Sequence, residues 1–190
     1  MEVDKRPVTF IILAVLAILV GTLLTTFIPL FVGTVIPSTE KVITYAPLEL
    51  EGRDIYIREG CNNCHTQTIR PLTFETDRYG AFSKIEESAI DRPHLWGSRR
   101  TGPDLARVGT KYPAQWHYLH MKDPQSMFQE SNMPKYPWLV DRKLSTTSTE
   151  RKMKALGYPV ALEDLKALDG KSEMDALVAY LMRLGKELKQ

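Results

Sequence analysis

Cys61-Asn62-Asn63-Cys64-His65 contains both cysteines of this 190-residue chain. Two thiols three positions apart, followed at once by a histidine, form the CxxCH pattern that attaches a c-type haem. The thiols can reach the two vinyl groups of one porphyrin, and His65 then places an imidazole under the iron as proximal ligand. The chemistry this supplies is electron transfer. A thioredoxin-like CxxC would sit between a strand and a helix, and the flanks here read helical. A structural zinc site needs four ligands; there is no second cysteine pair, and His94, His117 and His120 lie far downstream. A plain disulfide would leave His65 without a role.

An iron that only carries electrons needs a sixth ligand. Candidates are Met121, Met127, Met133, His117 and His120. Met133 is favoured, because Pro134 biases it toward extended backbone and out of a helix. A methionine on an irregular loop can aim its sulfur into a pocket, and Met/His ligation raises the haem potential. His117 and His120 lie three apart on one helical face and are read as hydrogen bonding at a surface or subunit contact. A ligating histidine needs an acceptor for its other N–H. A carbonyl in the turn Gly102-Pro103-Asp104-Leu105 can supply it.

The elements that position these groups read as mainly α, with no alternation long enough for a sheet. Gly52 to Gly60 leads into CxxCH as a helix, with Gly52 and Tyr56 on one face. Ala114 to Met121 is a second helix, stopped near Asp123-Pro124. Ser172 and Asp175 form a capping box for a last helix. Its stripe is Met174, Leu177, Val178, Leu181 and Leu184, and Gly185 ends it. Its expected partner is the helix of Gly52, where a glycine lets two backbones approach. The 36 residues between His65 and Gly102 show no long helix. Connections of that length are usually functional, and their aromatics and arginines suit an interface. The basic cluster Arg142, Lys143, Arg151, Lys152 and Lys154 reads as solvated surface.

Val8 to Ile36 is a run of 29 residues without a charge. It is twice a signal peptide's apolar core and lacks a cleavage pattern, so it reads as a permanent transmembrane anchor. Pro29 is expected to kink it. Lys5 and Arg6 before it keep the N-terminus cytoplasmic. The reading divides the chain into a tail (1–6), an anchor (7–36), a linker (37–50) and a haem domain (51–190). The domain is expected on the periplasmic side of a bacterial inner membrane. A net charge of +2 gives no case for nucleic acid.

The order GRDIYIREGCNNCH, GPDL, MP, then LVAYLMRLG resembles class I cytochromes c. That resemblance implies a helical haem domain with long loops. It implies that Gly52 and Tyr56 pack on Tyr180, that the Pro103 carbonyl accepts from His65, and that Met133 is the distal ligand. REGCNNCHTQTIRP, RYGAFS, LWGSRRTGPDLARVGTKY, WHYLHMKDPQS and SNMPKYPWL narrow it, over roughly residues 58 to 140. They are similar to the monohaem subunit of cbb-three-type cytochrome c oxidases, called FixO or CcoO. This implies one covalent haem c in a respiratory, proton-pumping oxidase. Its partners would be a catalytic haem-copper subunit, a dihaem cytochrome c subunit and a soluble cytochrome c. Electrons would pass to a haem b, and no oxygen-reducing site would lie on this chain. Gln125 departs from the pattern, since relatives more often carry arginine there. The alternative is the cytochrome c subunit of a nitric oxide reductase, or another anchored monohaem carrier.

Overall fold

The computed structural model describes residues 5–31 and 43–186. It divides into two units, residues 1–41 and 42–190. In the first, Pro7–Phe31 forms a continuous helix, α1, long and apolar enough to cross a membrane. Residues 32–36 of the expected anchor lie outside the described residues. The effect of Pro29 is visible one turn earlier, where Leu23–Phe27 is π-helical and the Ile28 N–H donates to the Leu23 carbonyl. A proline cannot donate and crowds the carbonyl four residues back. A wider turn relieves that crowding.

The second unit is helical, with one isolated bridge, Lys143 to Ser172, among the described residues. Helix α2 spans Pro47–Arg58, so it starts five residues before Gly52, inside the segment read as linker. The start follows local chemistry: Pro47 occupies the first turn, and the Glu49 carboxylate accepts from the Ala46 N–H at 2.9 Å. Tyr45 and Leu50 are core residues of this unit rather than tether. Short helices follow at Thr73–Tyr79 (α3), Ala114–Lys122 (α4) and Pro124–Met127 (α5). After Trp138–Asp141 (α6), Thr149–Ala155 (α7) and Leu162–Lys166 (α8), the chain ends its described part with Glu173–Arg183 (α9).

Helix α9 begins as expected. The Ser172 hydroxyl accepts from the Asp175 N–H at 3.1 Å, and the Asp175 carboxylate accepts from the Ser172 N–H at 2.8 Å. It crosses α2 at Gly52, where a Cβ would lie 1.9 Å from the Ala176 carbonyl oxygen. The Tyr56 and Tyr180 rings meet beside that crossing at 5.4 Å. Met174, Ala176, Leu177 and Tyr180 are fully buried there. This crossing is the frame on which CxxCH, at the end of α2, is held. Lys152 of the basic cluster also belongs to the frame. It bridges Glu51 and Asp54 of α2 at 2.8 and 2.7 Å.

Candidate functional site

Gly60 ends α2 in the left-handed region at φ +75°, a conformation a glycine adopts without strain. The chain then makes one 3₁₀ turn, Cys61–Asn63. The His65 N–H closes it on the Cys61 carbonyl at 3.0 Å. Both thiols are unpaired; Cys61 is half-buried and Cys64 exposed. Burial, with Glu59 nearby, pushes the Cys61 thiol up to about 12. A thiol held protonated is a poor ion ligand. Among the described residues, no three His, Cys, Asp or Glu side chains gather as an ion site.

The turn at 102–105 lies against this motif. His65 Nδ1–H donates to the Pro103 carbonyl at 2.8 Å. That bond fixes the tautomer and leaves Nε2 with its lone pair. Burial lowers the His65 pKa against the opposing effect of the Pro103 carbonyl. Gly102 allows the approach, since a Cβ there would sit 2.2 Å from His65 Cε1. Two backbone bonds stitch the segments together: Gly102 N–H to the Cys64 carbonyl at 3.0 Å, and Leu105 N–H to the Thr66 carbonyl at 2.9 Å.

Behind the turn is a charge network that sequence reasoning missed. Asp104 accepts from the Thr66 hydroxyl (2.6 Å), the Thr68 N–H (2.9 Å) and the Ala106 N–H (2.8 Å). Arg100 donates to the Thr66 hydroxyl, the Thr68 carbonyl and Glu75 at 2.7, 2.9 and 2.6 Å. The Glu75 side chain of α3 is wholly excluded from water and is also paired with Arg70. Burial alone would raise the Glu75 pKa; hydrogen bonds from Arg100 and Arg70 outweigh it and lower it to about 2. Arg100 lies 25 to 34 residues from Thr66, Thr68 and Glu75, and Asp104, inside the singled-out GPDL turn, was the one available signal.

The excursion 66–101 has two faces. Ile69, Glu75, Asp91 and Leu95 are buried in its own domain, and Arg53 of α2 pairs with Asp91 at 3.2 Å. Leu72, Phe74, Phe82, Ile85 and Trp96 are exposed, Phe74 by 66%.

Met133 stands on an irregular loop, half-buried and packed against the core. Before it, the pKa of His120 is lowered, first by burial and then by electrostatic interaction with His65. After it, Tyr136 is pushed up to about 12 by burial and then by Cys61, Glu59 and Cys64. Of the two α4 histidines expected at a surface or subunit contact, His117 is buried and His120 half-buried. His117 is 1% exposed, and burial, helped by His120, lowers its pKa to about 4. His120 stacks on Trp116 at 4.6 Å. Helix α4 packs against α9, and His117 lies on the side it buries, while Leu119 is exposed.

The comparisons with known proteins bear on this arrangement. The family described as cytochrome c oxidase mono-haem subunit matches residues 1–167. The chain belongs to the FixO family. The match runs from α1 through α8 and stops before α9. No curated protein matches the chain. A FixO subunit is described by its single haem, and the residues here fit one. Two unpaired thiols stand in sequence beside an imidazole whose Nε2 is free. Gly102 leaves the ring room that a Cβ would fill. His117 Nε2, His120 Nδ1 and Gln125 Oε1 are among the buried atoms with no hydrogen-bond partner among the described residues, and such groups call for a further partner.

Proposed function

We propose that this chain is the membrane-anchored electron-transfer subunit of a cbb-three-type haem-copper oxidase. One haem c would be attached through Cys61 and Cys64, with His65 proximal and Met133 distal. When bound, the haem supplies a one-electron ferrous–ferric couple. The chain receives electrons from a dihaem cytochrome c subunit or a soluble cytochrome c. It delivers them to a haem b of the catalytic subunit, where oxygen is reduced and protons are pumped. α1 holds the chain in the bacterial inner membrane, N-terminus cytoplasmic and haem domain periplasmic.

The observation that carries this reading is the 2.8 Å bond from His65 Nδ1–H to the Pro103 carbonyl, inside a CxxCH motif. It presents Nε2 as the ligating atom. A ring held by such a bond cannot rotate away when the iron changes charge. The thiols need only be reduced and accessible when the haem is attached, and Cys64 is exposed. Met133 is a neutral ligand, so the site carries no added negative charge and favours the ferrous state. The exposed aromatic face of 66–101 fits a subunit contact.

Purification in mild detergent, with haem and copper quantified, tests the reading. One covalent haem on this chain, within a copper-containing complex, is the expected result. Copurification with only a copper-free, non-haem-iron subunit would overturn it in favour of a nitric oxide reductase.

A further inference from the structure

We propose that Gln125 is a positioning residue for the sixth iron ligand, its side-chain amide clamping the loop that carries Met133. This rests on the haem reading above. Gln125 lies on the four-residue helix α5, which the Asp123 side chain caps by accepting from the Ser126 N–H at 3.3 Å. From there Gln125 Nε2 donates to two carbonyls of the next segment, Ser131 at 3.0 Å and Met133 at 2.8 Å. The Met133 N–H donates to the Ser131 hydroxyl at 3.2 Å. Both backbone polar groups of Met133 are therefore held by side chains, in a stretch with no helix or strand to hold them.

Among the described residues, the other backbone hydrogen bonds of the loop lie near its ends, while the Met133 side chain packs against the core. The Ser131 N–H donates to the Phe128 carbonyl, and the Tyr136 N–H to the Met121 carbonyl, each at 2.9 Å. Lys135 pairs with Asp123 at 2.8 Å across exposed surface, where such a pair contributes little. Among the described residues, Gln125 is thus the one side chain that hydrogen-bonds the Met133 carbonyl from a separate element. Its Oε1 is buried without a partner in the chain. A glutamine that gains nothing from its own acceptor, yet spends both amide protons on one loop, is placed for that loop.

A thioether is a weak, uncharged donor, so its hold on iron depends on being delivered in place. A net hydrogen bond in a protein shifts an equilibrium by roughly twofold to tenfold. Two bonds lost together open the loop roughly fourfold to a hundredfold more often.

The test uses the full-length, haem-loaded chain in detergent. Imidazole is titrated into the ferric protein, where it competes with Met133 for the iron. Binding is read from loss of the methionine–ferric-iron absorption band. Gln125→Leu removes both donors, and Gln125→Glu leaves a carboxylate that cannot donate. Gln125→Arg restores donors in a fork that can reach two carbonyls. The proposal expects imidazole to bind roughly fourfold to a hundredfold more tightly to the Leu and Glu variants, with the Arg variant back toward the parent. The reduction potential should fall in the first two and recover in the third. The proposal is overturned if the Leu and Glu variants bind imidazole within about twofold of the parent while Met133→Ala binds it far more tightly. It is equally overturned if Arg does not restore what Leu lost. A Met133→Ala protein that keeps the band removes the ligand assignment itself, a failure recognisable apart from the other two. Should the Leu variant not load haem, Glu against Arg decides.

Discussion

Replacing Gly52 by alanine sets two effects of opposite sign against each other, and the structure says which wins. Alanine is about 1 kcal/mol better than glycine inside a helix, so an isolated α2 would gain. In the folded domain the new Cβ would stand 1.9 Å from the Ala176 carbonyl oxygen, 2.5 Å from its carbon and 2.8 Å from Tyr180 Cβ. Ordinary contact begins near 3.4 Å, so the helices must part by about 1.5 Å. Overfilling a packed core costs about 1–3 kcal/mol. The upper end applies here because the obstacle is backbone, which cannot rotate aside. Every fully buried side chain along the seam also loses contact, since a gap of about 1 Å forfeits up to half the attraction between two atoms. The expected net loss is about 2 kcal/mol, or about 4–8 °C in Tm for a domain of this size. Thermal and denaturant unfolding of the haem-loaded chain measures it. A second variant sharpens the test. Because the clash is with a carbonyl, Ala176→Gly opens no room, and the two substitutions should be additive within about 0.5 kcal/mol. The reasoning is refuted if Gly52→Ala is as stable as the parent, or if Ala176→Gly rescues it.

Gly102→Ala should act on the iron rather than on the fold. A methyl 2.2 Å from His65 Cε1 drives the ring off the Pro103 carbonyl. An imidazole without that acceptor is a weaker donor to ferric iron. A redox titration should show the potential rise, by about 59 mV for each tenfold loss of ferric preference; an unchanged potential refutes the prediction. Met133→Ala should abolish the methionine–ferric-iron band and open the iron to carbon monoxide in the ferrous form, both visible by absorption. For Glu75 the folded pKa is lowered, to about 2 from 4.5. Its contribution to stability is therefore complete above pH 4.5 and is lost as pH falls from 4.5 toward 2. Proteolysis of the 66–101 segment, followed against pH, should rise through that window in the parent. Glu75→Gln should be less stable at neutral pH and lack that rise, and an equally steep rise in both proteins would refute the assignment.

What could be read from the chain alone was what neighbours in sequence decide. The capping box at Ser172 and Asp175 is a three-residue relation, and the CxxCH motif a four-residue one. The crossing at Gly52 was legible because a small residue and an aromatic share a helical face opposite a well-marked apolar stripe. The Met133 loop declared itself through Pro134. The arginine–carboxylate network did not, because Arg100, Glu75 and Asp104 acquire meaning only when 66–101 folds back on the turn. The burial of His117 was hidden for a similar reason. A histidine at helical spacing reads equally as surface or core until the helix has neighbours on both sides. Gln125 was noticed only as an odd residue, since an amide's two partners are set by a loop path no local rule predicts. The early start of α2 was a missed signal rather than a hidden one. Ala46-Pro47-Leu48-Glu49 carries a first-turn proline and an acidic residue in the first turn.

The excursion from Thr66 to Thr101 leaves the CxxCH segment and returns to it at almost one point. The Cys64 and Thr66 carbonyls are bonded to the N–H groups of Gly102 and Leu105, and Asp104 ties both strands of the junction. A loop pinned so firmly at its mouth is insulated from what happens at its tip. Doubling its length would cost only about 0.6 kcal/mol of closure entropy. The face bearing Phe74, Phe82 and Trp96 can therefore change in sequence, length or shape while His65 keeps its partner. A subunit built this way can be refitted to a new neighbour without retuning its redox centre, as a plug is reshaped without rewiring the appliance.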